Sequence, residues 1–359
     1  MSQLILHVVG ARPNFMKAAP VIRALEQHNV GQYVVHTGQH YDRALSDVFF
    51  VELGLPEPDV NLGVGSGSHA QQTAALMTGL EAQLIERQPA LVVVYGDVNS
   101  TLAAALVAAK LHIPVAHVEA GLRSFDLTMP EEINRRVTDS LSALLFVTSP
   151  EGMAYLAREG ADPGAMHLVG NPMIDTLLSN LDRFDPRAVR TQLGLGDRYA
   201  VSTLHRPANV DDPATARAIV AAFSDVASAL PVVIPLHPRG RESLRRAGLD
   251  DTTGVRIIDP IGYVEFLSLV RGASLVLTDS GGIQEETTIL NVPCLTIRPN
   301  TERPITITHG TNQLVGPGEV SKQAMAILEG RVRFPEQRPP LWDGQAGPRI
   351  ARIINEQYA

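Results

Sequence analysis

One cysteine occurs in the 359 residues, so no internal disulfide can form. That residue, Cys294, lies in the apolar stretch "VPCLTI" without ligand-type neighbours and reads as a small core side chain. No run approaches the roughly 18 to 20 consecutive apolar residues that span a bilayer, and the first residues enter a strand without a signal-peptide pattern. A cytosolic protein without membrane contact is expected. Positive charge is not in excess either: 30 Lys and Arg stand against 38 Asp and Glu, a formal net charge of −8. Broad nucleic-acid binding is therefore disfavoured, while a local basic pocket for a small anion stays open. The dinucleotide fingerprint G-x-G-x-x-G is missing at the first turn, and the histidines lack the spacing of a metal site.

What is present is the composition of an ordinary globular protein, 45% hydrophobic and 19% charged. The length exceeds a usual single domain and predicts two, of about 150 to 180 residues each. Short apolar runs, "LILHVV", "YVVHT", "LVVVYG", "IPVAHV" and "LLFV", alternate with helix-length segments that start near Asn14, His69, Asn99 and Pro130. This alternation predicts an α/β fold with a doubly wound parallel sheet. A second series, "YAVSTL", "VVIPL", "VRIID", "LVLTD" and "PCLTI", follows the polar stretch "NLDRFDPRAVRTQLGLGDR", which also holds a plausible short helix. The expected division is residues 1–172 and 173–345, with a final helix at 346–359 packing back on the first domain. "GVGSGSH", with Gly63, Gly65 and Gly67, is fed by no strand and reads as a mobile loop. Two such domains would set their strand C-termini around a central cleft, where ligands of open α/β sheets bind.

The polar residues at those strand ends suggest the chemistry. "VVGARPNFMKAAP" puts Arg12 and Lys17 in the turn and first helical turn after the first strand, where cations and free N–H groups suit a phosphate. "LTDSGGIQEE" repeats the arrangement with Ser280, Gly281 and Gly282 at a helix mouth. Asp97 in "YGDVNST" and Glu119 in "HVEAGLRS" end successive strands, and Glu131 opens a helix behind Pro130 in "MPEEINRR". Helix capping for Asp97, an ion pair with Arg123 for Glu119 and dipole compensation for Glu131 are the structural alternatives. Three acidic sites within about 35 residues suit proton transfer on two faces of a substrate. "STLHRPANV" and "PLHPRGR" add His205, Arg206, His237 and Arg239 after strands of the second series.

In that order, "GARPNFMKAAP", "TGQHYD", "YGDVNST", "HVEAGLRS", "MPEEINRR", "HRPANV", "LTDSGGIQEE" and "TERP" make the chain resemble the non-hydrolysing UDP-N-acetylglucosamine 2-epimerases over residues 10–304. The resemblance implies two Rossmann-like domains in a GT-B architecture, a homodimer, and inversion of carbon 2 of a UDP-sugar through elimination of UDP and its re-addition. It implies no cofactor and no metal. Asp97, Glu119, Glu131 and His205 correspond to the family's catalytic residues. Arg12, Lys17, Phe266, Ser280, Gly281, Gly282, Glu286 and Arg303 correspond to substrate-binding positions, with Phe266 against uracil and Glu286 on the ribose diol. A second UDP-sugar site maps to Gln39, His40, Arg206 and His237, although "GSGSHAQQ" lacks its Arg-Gln pair. Relatives acting on UDP-2,3-diacetamido-2,3-dideoxyglucuronic acid share "GARP" and "MPEEIN". A GT-B glycosyltransferase and a non-catalytic nucleotide-sugar module are the more distant readings. The product would feed cell-envelope polysaccharide synthesis.

Overall fold

Among the described residues thirteen strands, all parallel, form two separate sheets, and each short apolar run of the sequence supplies one strand, central in every case but "VRIID", which lies at an edge. The structure is a computed structural model that describes residues 3–10, 12–38, 54–236 and 238–359. Gln39, His40 and His237 lie outside the described residues, as do the side chains of Arg12 and Arg239. Contacts divide the chain into two units: Met1–Ser179 with Pro340–Ala359, and Asn180–Pro339.

In the first unit the strands are β1 (Ile5–Val9), β2 (Gln32–His36), β3 (Val60–Asn61), β4 (Leu91–Tyr95), β5 (Val115–Ala120), β6 (Leu144–Val147) and β7 (Met166–Leu168). They pair in the order β3-β2-β1-β4-β5-β6-β7. β1, β4, β5 and β6 are buried along their whole length, which is why they read as continuous apolar runs and not as alternating ones. Strands of the second unit are β8 (Ala200–Thr203), β9 (Val232–Pro235), β10 (Val255–Ile258), β11 (Leu275–Thr278), β12 (Cys294–Ile297) and β13 (Asn312–Val315), in the order β10-β9-β8-β11-β12-β13. Both sheets thus have the Rossmann-like order, with a switch point between β1 and β4 in one and between β8 and β11 in the other. Cys294 is fully buried on β12, and burial pushes its thiol up to about 12, so it stays protonated.

"GVGSGSH" opens as a loop, but a strand, β3, does feed it. Val64 N–H donates to the Thr37 carbonyl at 3.1 Å and Gly65 N–H to that of Gly38 at 3.0 Å, so these two residues are tied back beyond β3. Ser68 then caps the helix His69–Arg87 in a capping box with Gln71.

The last helix, Ala346–Tyr358, packs on Arg12–Gln27 within the first unit. Its start is tied to Asp175, which accepts from Gly347 N–H at 2.7 Å. Burial raises the Asp175 carboxyl to about 6, against the opposing pull of the Gly347 and Ala346 N–H groups. Because the folded state keeps this proton while the unfolded chain loses it near pH 4, stability falls as pH rises from about 4 to about 6. The shift corresponds to about 2 to 3 kcal/mol across that window. Urea denaturation of wild type and Asp175→Asn at several pH values should show a stability difference that changes by this amount between pH 4 and pH 7. A difference independent of pH would show that the carboxyl is not displaced.

Candidate active site

The first constellation forms where β1 and β4 diverge. Asn14, in the first turn of Arg12–Gln27, accepts from Gly10 N–H at 3.2 Å and donates to the Tyr95 carbonyl at 2.7 Å, locking the two strand ends together. The chain then turns at Gly96 with φ of +65°. A Cβ there would stand 3.0 Å from Lys17 Nζ and 3.2 Å from Glu119 Oε2, so the left-handed conformation favours glycine and a larger residue would crowd this pair. Lys17 and Glu119 form an ion pair, and both are buried. Glu119 itself has φ of +79°, a conformation that costs a side-chain-bearing residue about 1 to 3 kcal/mol. The β5/β6 register shifts between Val118 and Ala120, and this bulge turns Glu119 at the strand end.

Asp97, the next residue after Gly96, is held by Arg135 through two guanidinium nitrogens, one of them Nε at 3.2 Å. Arg135 also donates to Glu132 at 2.8 Å. Fully buried Glu132 accepts from Ser124 N–H, Ser124 Oγ and Phe125 N–H, and so fixes the loop that leads into the helix Pro130–Leu141. Of the two glutamates in "MPEEINRR", Glu132 is therefore a structural anchor. Glu131 is solvent-exposed, and no hydrogen bond or ion pair among the described residues joins it to Asp97 or Glu119. The structure sets Glu119 against Gly96, one residue before Asp97, and leaves Glu131 open to solvent on the same helix that supplies Arg135.

Beneath these groups lies a buried polar chain. His117 Nε2 meets the Gly96 carbonyl at 2.7 Å and Nδ1 meets Asp139 at 2.6 Å. Asp139 also accepts from Gly121 N–H at 3.2 Å and from Arg123 at 2.7 Å. Arg123 donates further to Glu159, with Nε at 2.9 Å. The alternative ion pair of Glu119 with Arg123 is thus replaced: Glu119 takes Lys17, and Arg123 takes Asp139 and Glu159. Burial works against the charge on Asp139, but His117 and Arg123 outweigh it and hold the carboxyl below its ordinary value.

The second constellation sits at the β8/β11 switch point of the other unit. Fully buried Asp279, directly after β11, accepts from the backbone N–H groups of His205 and Arg206 and from Asn209 Nδ2, at 3.2, 2.9 and 3.1 Å. His205 Nδ1 lies 2.9 Å from the same carboxylate, leaving an imidazole that is 64% exposed. Burial would raise Asp279, yet bonding and charge from His205, with the N–H donors, keep it low. The Ser280 N–H is donated to Thr278 Oγ1 at 3.0 Å, so the free N–H groups of the helix Gly281–Leu290 begin at Gly281, Gly282 and Ile283. No side chain caps this helix start. Instead the Arg303 guanidinium lies over it, 2.7 Å from where a Cβ on Gly281 would be.

Arg303 is paired at 2.9 Å with Glu285, and Glu302 is bound by Arg298 at 2.8 and 3.0 Å. Arg206 donates to the Asp279 carbonyl at 3.0 Å and reaches Glu302 at 3.9 Å. Glu286 is buried one turn into the helix, and Phe266 is 9% exposed on Tyr263–Arg271. Sequence reasoning missed Asn14, His117, Arg135, Asp139, Asp279 and Glu302. Asp279 carried a usable signal, being a strand-end carboxylate of the same kind as Asp97 and Glu119.

A sequence profile of the family described as UDP-N-acetylglucosamine 2-epimerase matches residues 23–355. The chain is 42% identical to a UDP-N-acetylglucosamine 2-epimerase of Methanocaldococcus jannaschii, over 97% of both sequences. It is 44% identical to a UDP-2,3-diacetamido-2,3-dideoxy-D-glucuronate 2-epimerase of Pseudomonas aeruginosa, over 98% of this chain and 99% of that one. The M. jannaschii enzyme, solved in complex with UDP-GlcNAc and UDP, superposes with a TM-score of 0.89 over 98% of this chain and 99% of that one, at 42% identity. A Neisseria meningitidis epimerase bound to UDP-GlcNAc gives a TM-score of 0.90 at 30% identity, over 99% of this chain and 100% of that one.

Proposed function

Because the chain belongs to the UDP-N-acetylglucosamine 2-epimerase family, we propose that it is an isomerase that inverts carbon 2 of UDP-GlcNAc, interconverting it with UDP-ManNAc. The hydrogen on carbon 2 is not next to a ring carbonyl, so simple deprotonation would leave a poorly stabilised carbanion. Elimination avoids this: a carboxylate takes the proton, the carbon 1–oxygen bond breaks toward UDP, and a carbon 1–carbon 2 double bond forms. UDP then adds back to carbon 1 while a proton is delivered to the opposite face of carbon 2.

One observation carries the reading: of two strand-end carboxylates, Glu119 lies against Gly96 and is paired with Lys17, and Asp97, the residue after Gly96, is paired with Arg135. His205, oriented by Asp279 with its outer nitrogen exposed, suits proton transfer to or from the leaving diphosphate or sugar. The N–H groups of Gly281 and Gly282, with the Arg303 guanidinium against Gly281 and Ser280 next to it in the chain, suit the diphosphate. Arg12 and Lys17 supply further positive charge, Phe266 would pack on uracil, and Glu286 would accept from the ribose diol. Lys17, in this role, would exchange its bond to Glu119 for one to substrate or hold both.

The 44% identity to the P. aeruginosa enzyme favours one second reading, epimerisation of the diacetamido glucuronic acid nucleotide. Each nucleotide sugar is incubated with enzyme in deuterated water. The substrate gains deuterium at carbon 2 as its epimer forms, and exchange in neither sugar would remove the proposed function.

No helix among the described residues is long and apolar enough to cross a membrane, and we place the activity in the cytoplasm as a homodimer. Exposed Phe125, Leu127 and Ile133, at 63%, 60% and 48%, support a self-association face on the first unit. Light scattering should report a dimer, and Phe125→Ser with Ile133→Ser should shift it toward monomer by at least about tenfold in Kd.

A further inference from the structure

The two parts of the diphosphate cradle, the helix mouth at 280–282 and the Arg303 guanidinium, come from segments far apart in the chain. A buried run of hydrogen bonds joins them, and its direction is fixed at both ends. At one end the Ser280 carbonyl can only accept, so Gln284 turns Nε2 toward it, at 3.1 Å. Gln284 Oε1 is left to accept, and does so from Thr301 Oγ1 at 2.7 Å and from Asn312 Nδ2 at 3.0 Å. At the other end the Arg303 N–H can only donate, and it donates to Thr301 Oγ1 at 3.1 Å, which leaves the hydroxyl hydrogen for Gln284. These bonds are compatible in one arrangement only.

The Arg303 backbone is held from its other side as well. Thr306 Oγ1 and N–H donate to the Arg303 carbonyl at 2.8 and 3.0 Å, and the same hydroxyl accepts from Asn312 Nδ2 at 3.1 Å. Asn312 Oδ1 in turn accepts from Thr296 Oγ1 on β12 at 2.7 Å. Gln284, Thr296, Thr306 and Asn312 are all buried, so a broken bond among them is not replaced cheaply by water. The guanidinium then reaches over Gly281 and lies against Glu285 at 2.9 Å and Glu302 at 3.4 Å. Those ion pairs act on the end of a long side chain, whereas the run through Gln284 acts on the backbone from which it springs.

We propose that Gln284 and Thr301 are positioning residues: they tie the Arg303 backbone to the Ser280 carbonyl and so hold the guanidinium and the N–H groups of Gly281 and Gly282 at the one spacing that lets a diphosphate meet both. Neither touches the ligand. The inference rests on the diphosphate reading of this helix mouth given above, and it names the residues that keep the two halves of the cradle in register.

Calorimetric titration of the full-length protein with UDP, and with uridine, which lacks the phosphates, tests this. Thr301→Val exchanges a hydroxyl for a methyl of nearly the same shape at a part-buried position, so the fold should persist. It should weaken UDP about tenfold and leave uridine within about twofold. Thr301→Ser keeps the hydroxyl and should bind UDP within about twofold of wild type. Thr287→Val, buried in the same helix with its hydroxyl on the Ile283 carbonyl at 2.8 Å, should change neither affinity. Gln284→Met, which removes the run altogether, should lose at least as much UDP affinity as Thr301→Val, and Thr301→Val decides the matter by itself if that variant does not fold. In a cycle with Arg303→Gln, adding Thr301→Val should cost less than about twofold, because the residue it positions is gone. Wild-type UDP affinity in Thr301→Val, equal losses for UDP and uridine, or a fully additive loss in the cycle would overturn the positioning role while the diphosphate reading stands. Wild type that binds UDP no more tightly than uridine would remove that reading, and this inference with it.

Discussion

Glu119→Gln is expected to slow carbon-2 deuterium exchange and epimer formation by about 10³-fold or more, with UDP affinity retained within about threefold. The substitution keeps shape and hydrogen-bonding capacity but removes the basic oxygen. Its size follows from where Glu119 sits: a residue with φ of +79° at a bulge has its direction set by the backbone, so no neighbour can take over its place. Removing the charge also leaves Lys17, 5% exposed, without its partner. Some stability loss should accompany the kinetic one, and Lys17→Met in the same chain should recover that stability without recovering turnover. Exchange followed by NMR and UDP titration by calorimetry separate the two effects. Turnover within tenfold of wild type would remove Glu119 from the reaction, and joint loss of UDP binding would assign it to binding.

For Asp279→Ala the largest loss of stability is expected, about 3 to 5 kcal/mol, together with a kcat/KM reduced by at least about 10²-fold. Four donors converge on this carboxylate: two backbone N–H groups, Asn209 and His205. Alanine leaves buried Asn209 and the part-buried backbone N–H groups of His205 and Arg206 without this acceptor, and a donor stranded away from water costs more than an ordinary hydrogen bond contributes. The kinetic part arises because His205 loses the partner that fixes its ring orientation. Asp279 is held below its ordinary range in the folded state, so its contribution is present above about pH 4 and fades as pH falls through the folded value. Urea denaturation should therefore give a wild-type minus Asp279→Ala difference that is flat at neutral pH and shrinks in acid. A difference below about 1 kcal/mol at pH 7 would mean that residues 204–209 are held by other contacts.

Central strands were legible because burial on both faces writes them as unbroken apolar runs, as in "LVVVYG" and "LLFV". Of the four edge strands β10 was legible as "VRIID", whereas β3, β7 and β13 were not, because "VN", "MHL" and "NQLV" are short and partly exposed, and their pairing depends on a neighbour already in position. Among the acidic residues, Asp97 and Glu119 could be found from their places at strand ends. Glu131 and Glu132 could not be told apart, because both favour a helix N-terminus and only the packed loop at Ser124 and Phe125 makes Glu132 an anchor. His117 and Asp139, 22 residues apart, left no local trace of their bond.

The sequence by itself determined that two Rossmann-like sheets form, that strand ends bear acids in the first unit and cations with a glycine-rich helix mouth in the second, and that the motifs follow the order of one epimerase family. Those are consequences of periodicity, turn chemistry and residue type, which act over a few neighbouring positions. Tertiary structure alone decided which carboxylate is paired with which cation, that Ser280 spends its N–H on Thr278, and that Asp279 orients His205. Hydrogen bonds and ion pairs depend on distance and direction between groups far apart in the chain. No local pattern encodes them until the sheets have brought those groups together.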